Sequence, residues 1–228
     1  MNEWLWLAML LINFFAIMIS YRLWGRLGLY IWMPIAIIVA NIQVTKTIQL
    51  FGFEATLGNI VYATSFLVTD ILSENFGKKE ARKAVGIGFF SLITMTILMN
   101  LALYFIPAAS DFVQDSMKTI FSLMPRIALA SLSAYGISQL HDIWAYDFWK
   151  KKFPSKGKLW IRNNLSTMVS QLLDTIVFTL IAFYGVFPKS VLFEIVITTY
   201  LLKWVVAVAD TPFIYLAKYW KDNNIVVN

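Results

Sequence analysis

Residues 131–142 read SLSAYGISQLHD, and residues 163–174 read NNLSTMVSQLLD. Both close on Ser-Gln-Leu-x-Asp, and their aspartates, Asp142 and Asp174, stand 32 residues apart. Each motif is set in a long apolar segment within residues 124–187, and a basic loop, KKKFPSKGKLWIR at 150–162, joins the two. An ionised Asp in a membrane span is costly and marks function. Ser131, Tyr135, Ser138 and Asp142 follow the steps i, i+4, i+7, i+11, and Asn163, Thr167, Ser170 and Asp174 repeat them. Residues so spaced share one helix face. A polar face on a membrane helix turns inward, toward partners or a water-filled cavity. The segments lie on consecutive spans and therefore run antiparallel, a relation common at transporter sites. We expect them to line opposite walls of one polar site.

The rest of the chain agrees with a membrane setting. It is 59% hydrophobic and 14% charged, against about 25% charged in soluble domains. Mean hydropathy is +0.68. The apolar runs recur as blocks long enough to cross a bilayer, which takes roughly 20 helical residues. There is no cysteine, which excludes disulfides, thiolate catalysis and Cys-based metal sites, and the single His141 cannot form a His cluster. The formal charge of +6 is the kind that cytoplasmic loops of membrane proteins carry, so nucleic acid is not an expected partner. No cleavable signal is expected: residues 4–20 have no basic residue before them and no small-x-small site after them.

The hydropathy pattern predicts an all-α, polytopic membrane bundle forming a single domain over 1–228. Seven spans are expected, at about 4–22, 27–50, 55–76, 84–106, 119–148, 163–187 and 190–217. Basic residues follow spans one, three, five and seven: Arg22 and Arg26; Lys78, Lys79, Arg82 and Lys83; the 150–162 loop; Lys218 and Lys221. The alternate loops carry Lys118 and Lys189 beside Glu3, Glu54, Asp111 and Asp115. The positive-inside rule then sets the N-terminus outside and the C-terminus in the cytoplasm. Trp and Tyr near the span ends form interfacial belts. Phe51-Gly52-Phe53 and Phe187-Pro188-Lys189 read as tight external turns. Pro34, Pro125 and Pro212 predict kinks or breaks.

Three cations fall inside hydrophobic segments: Lys46, Arg126 and Lys203. The acids there are Asp70, Glu74, Asp142, Asp174, Glu194 and Asp210, with Asp174 and Lys203 near mid-membrane and expected to pair. On span three, Asn59, Ala63, Phe66 or Leu67, Asp70 and Glu74 make another stripe, and span two adds Asn41, Thr45 and Lys46. Hydroxyl and amide side chains often only glue helices together, at about 0.6–2 kcal/mol each. Charged side chains converging from several spans exceed that need. A carboxylate can accept from a ring N–H and an exocyclic amine together, and amides can read a carbonyl and a ring nitrogen. Tyr135, Phe178, Tyr62 or Phe66 could stack on such a ring. The residues alone point to a polar solute, with rings at hand if it is aromatic, and an ion pathway would use similar acids.

The stretch ANIQVTKTIQLFG…TLGNIVYATSFLVTDILSENFGKKEARKA, with PRIALASLSAYGISQLHD and WIRNNLSTMVSQLLDTIVF, resembles the queuosine precursor transporter family, also called the vitamin uptake transporter family. The resemblance covers about residues 40–215. It implies a six- or seven-span importer of 7-deazaguanine compounds, multi-pass in the cell inner membrane, with the small solute and the lipid bilayer as partners and no cofactor. The matching polar positions are Asn41, Lys46, Asp70, Arg126, Ser131, Gln139, Asp142, Asn163, Gln171, Asp174 and Lys203, together with Arg162 and Ser166. The alternative is a substrate-binding membrane subunit for vitamin uptake served by an ATPase partner, because the chain has no Walker A motif of its own. An enzyme is not expected. No GxGD stretch precedes either Asp, and no Gly-flanked Ser evidently faces His141.

Overall fold

The protein is described by a computed structural model that covers residues 1–152 and 159–226. Among these residues the elements in order are α1 (Asn2–Gln43), β1 (Thr47–Leu50), β2 (Phe53–Thr56), α2 (Asn59–Phe76), α3 (Lys78–Ala102), α4 (Gln114–Phe121), α5 (Met124–Lys152), α6 (Leu159–Phe183) and α7 (Lys189–Asp222). Four stretches are long and apolar enough to cross a membrane: Asn2–Gln43, Lys78–Ala102, Gln114–Ser138 and Lys189–Asp222. Met168–Phe183 is a shorter apolar helix. The chain is a helical membrane protein, as expected. It divides into two compact units, Met1–Pro125 with Leu201–Asn228, and Arg126–Tyr200.

The first unit is built on α1, which holds the first two expected spans. Gly25 sits at φ 55°, ψ −134°, a region closed to residues with a Cβ. The helix therefore folds back there into two antiparallel arms. Ser20 Oγ donates to the Gly28 carbonyl at 3.0 Å, and Met9 packs by Ala36 and Ala40. A Cβ on Gly28 would stand 2.1 Å from the Ser20 carbonyl oxygen. Small residues also bring the neighbours in: Gly58 approaches the Ala40 carbonyl, and Gly88 of α3 lies against Ile37. Close backbone approach is how helices associate where lipid removes the hydrophobic drive.

Contacts between the first arm of α1, α2 and α7 keep one sense. Phe14 meets Phe213, and Tyr21 meets Phe76 and Asn75, whose amide also donates to the Ala217 carbonyl at 3.3 Å. Glu74 pairs with Lys218, and Arg22 lies over the Trp220 ring at 5.6 Å. The three helices are therefore parallel, and their basic ends meet. Arg26 pairs with Glu80 at 3.5 Å, Tyr30 also donates to Glu80, and Arg26 and Lys221 both lie over Phe76. At the other end Asn2 Nδ2 donates to the Gln49 carbonyl, and Glu3 accepts from the Phe51 N–H.

Several sequence expectations need correction. Span two stops at Gln43, and span three starts at Asn59. Between them lies an antiparallel hairpin pairing Thr47 with Thr56 and Leu50 with Phe53, a small insertion in a bundle that is otherwise helical as expected. Phe51 and Gly52 both take positive φ, as a two-residue hairpin turn requires. The turn was expected, but its strands were absorbed into the apolar runs on either side. Lys46 is consequently an exposed residue of the loop before β1, outside the helices. Span five is divided into α4 and α5 around residues 122–123. The break in α1 is at Gly25 and not at Pro34, which sits inside a helical arm. Pro125 lies in the first turn of α5, where the missing N–H costs nothing, and Pro212 lies within α7. The stripe on α2 also divides: Asn59, Ala63 and Leu67 are buried, but Asp70 and Glu74 are exposed.

Candidate functional site

In the second unit α5 and α6 form an antiparallel pair tied at two levels. At one end Arg126 donates from Nε to the Ile181 carbonyl and from Nη2 to the Tyr184 carbonyl, each at 2.5 Å. Ile181 is in the last turn of α6 and Tyr184 follows its end, where carbonyls run out of partners within the helix, and a cation there also meets the negative end of the helix dipole. Further along, His141 Nδ1 lies 3.0 Å from Ser170 Oγ. The two repeated motifs thus cross each other, as the sequence suggested. They do not cross at their aspartates. The antiparallel register set by His141 and Ser170 puts Asp174 level with Ile137, about five residues or 7.5 Å along the axis from the level of Asp142.

Asp174 is only 6% exposed and Ser170 5%, and Ser131 and Ser138 are buried as well. The expectation that Asp174 faces inward is met. Ser138 Oγ is turned onto its own helix, donating to the Tyr135 carbonyl at 3.1 Å. Gln171, one turn before Asp174 on the same face, carries a buried Oε1 with no hydrogen-bond partner among the described residues, and so does Thr179 Oγ1. Such an acceptor costs about 1–3 kcal/mol when left unmade, a cost tolerated where a ligand or water completes the bond. The side chains of Gln139, Asp142, Arg162, Asn163 and Ser166 lie outside the described ones.

In the first unit, the remaining candidates sit on α1, α2 and α7. Asn41 is buried and donates from Nδ2 to the Ile37 carbonyl at 2.7 Å. Lys203 is 7% exposed, and its ammonium lies 5.6 Å from the centre of the Tyr62 ring. Tyr62 in turn meets Phe66 edge-on at 5.7 Å. A desolvated ammonium gains from the negative face of a ring. This gives Lys203 a neighbour that the sequence reading had reserved for stacking. One turn beyond Asp70 begins the Glu74–Lys218 pair, so Asp70 lies toward the basic end of α2. On α7, Asp210 is 3% exposed.

The sequence reading passed over two of these residues. His141 was set aside because one His cannot make a cluster, although its place beside an Asp in an otherwise matched repeat was a visible signal. Asp210 was noted as an intramembrane acid and left without a role. A Ser does face His141, though Val169 and Gln171 flank it in place of glycines. Ser170 lies mid-helix, where the backbone N–H groups are bonded within α6 and cannot form an oxyanion hole.

The family model described as "Putative vitamin uptake transporter" matches residues 56–217. A Bacillus subtilis protein named "Probable queuosine precursor transporter" is 45% identical over 223 residues, 98% of this chain and 97% of its own. A Haemophilus influenzae protein of the same name is 29% identical over 59% of this chain and 54% of its own. The Escherichia coli "Queuosine precursor transporter" is 23% identical over 74% of this chain and 75% of its own. No solved structure matches. With intramembrane polar residues on helices, and a family match over most of its length, the chain belongs to the vitamin uptake transporter family.

Proposed function

We propose that this protein is a seven-span inner-membrane importer of queuosine precursors, with its N-terminus outside and its C-terminus in the cytoplasm. The observation that carries the substrate is the 45% identity to a protein named for it, extending over 98% of this chain. The span count is supported by α1 folding into two arms at Gly25 and by the parallel run of its first arm with α2 and α7. An odd number of crossings gives those three helices the same direction. The gathering of Arg22, Arg26, Lys218 and Lys221 at one end supports the orientation.

Binding is assigned to two sets of side chains. In the second unit Asp174 and Gln171 share a face and supply acceptors for the ring N–H and exocyclic amine of a 7-deazaguanine, with Ser131, Gln139, Asp142 and Asn163 as further polar groups. In the first unit Lys203, Asn41 and Asp70 are the candidates, with the Tyr62 ring beside Lys203. Arg126 we assign to holding α6, and Lys46 to the loop before the hairpin. The chemistry is solute binding and release, with no bond made or broken. Uptake of labelled 7-deazaguanines into cells unable to make them tests the reading: accumulation that depends on this gene supports it, and equal accumulation without the gene refutes it. The family's description as vitamin transporters keeps one alternative, a binding subunit for an ATPase. Copurification with an ATPase, and uptake that fails without it, would favour that alternative.

A further inference from the structure

The two repeated motifs differ at one position: SQLHD at 138–142 against SQLLD at 170–174, with His141 in the place of Leu173. The register of the helix pair makes that difference meaningful. His141 stands beside Ser170, so three residues back on α5 and three forward on α6 bring Ser138 level with Leu173. The motifs therefore cross about their own centre, as a pseudo-two-fold pair. His141 and Ser170 on one side correspond to Leu173 and Ser138 on the other. Only one of these two levels joins the helices through a side-chain hydrogen bond in which His takes part. At the other, a leucine has nothing to offer, and Ser138 donates to its own backbone.

We propose that His141 is a positioning residue for transport: through Ser170 it holds the two motifs in register, and thereby places Gln171 and Asp174. Ser170 precedes Gln171 directly and lies one turn before Asp174, so a rotation or slide of α6 at Ser170 moves both acceptors. The bond uses Nδ1 of the imidazole. An asparagine carries a polar atom near the place of Nδ1, whereas a glutamine extends to the place of Nε2.

This inference rests on the transporter reading, and the test separates the two. The full-length protein and its variants are purified, melted in detergent, and reconstituted for uptake of labelled 7-deazaguanine. His141→Leu, which makes the first motif identical to the second, and Ser170→Ala should each raise KM about tenfold, the equivalent of one hydrogen bond. The double variant should be no worse than either single one, in KM and in melting temperature alike. His141→Asn should restore most of the native KM, and His141→Gln should not. Unchanged KM in His141→Leu with less folded protein would make the contact merely structural and overturn the proposal. Independent, additive losses in melting temperature would overturn it as well, and that measurement needs no substrate. If the native protein transports no 7-deazaguanine, the functional reading fails, and the stability cycle still decides whether His141 and Ser170 act as one unit.

Discussion

Arg126 matched the family's polar pattern and was expected to bind substrate, yet its guanidinium spans the C-terminal end of α6. Replacing it with Met tests which role it plays. Two bonds to main-chain carbonyls would be lost, at 2.5 Å each. The bond to Ile181 is partly buried, and a charged donor there is worth about 1.5–3 kcal/mol. The bond to Tyr184 is exposed, so water screens it and we count about 0.5 kcal/mol. The expected loss is about 2–3 kcal/mol, which for a chain of this size lowers the melting temperature by roughly 5–10 °C. Arg126→Lys can reach one carbonyl at a time, so it should recover about half of that. Thermal unfolding of detergent-solubilised protein gives the first readout, and uptake per folded molecule gives the second. A capping role predicts a lower melting temperature with native KM. An unchanged melting temperature with a raised KM would refute the reasoning and return Arg126 to the binding site.

Four other outcomes are expected. Gly28→Ala places a Cβ 2.1 Å from the Ser20 carbonyl oxygen, so the two arms of α1 must part, and folded yield should fall by about 1–3 kcal/mol of stability, measured by thermal melting. Asp174→Asn keeps shape and loses a charge, so we expect it to insert at native levels and lose transport, whereas native-rate uptake would make Asp174 structural. Lys203→Met should reduce protein level, and combining it with Asp174→Asn should recover the level without uptake if the two charges balance each other; blotting and uptake read both. In this Cys-free chain, a cysteine replacing Lys156, which lies outside the described residues, should resist an impermeant reagent added to intact cells, and external labelling would reverse the orientation.

The helical framework was legible because it depends on sums over many residues. Apolar runs of bilayer length and clusters of Lys and Arg survive errors of a few residues at each end. The repeated motif was legible for a related reason: helical spacing alone aligns Ser170 with Asp174, and the observed burial of both agrees. The hairpin at Thr47–Thr56 was hidden because its strands are apolar and continue the hydrophobic runs of both flanking helices. Only the Phe51-Gly52 turn announced it. Gly25 was hidden because a glycine between two spans looks like any other short connection, and the sharp reversal is seen only in its dihedral angles.

The sequence by itself determined that this is a helical membrane protein, which residues inside its spans are polar, and which of them share a face. Those properties follow from composition and from the 3.6-residue period, both local. Only the tertiary structure decided what each polar residue meets. Arg126, expected at the solute, donates to the Ile181 and Tyr184 carbonyls at the end of α6. Lys203 was expected to pair with Asp174, and the structure adds the Tyr62 ring beside it. His141, dismissed for being single, became the link between the two motifs. The physical reason is the same in each case: a side chain's partner is set by the register between helices distant in sequence. That register belongs to the packed helices together and not to any one segment.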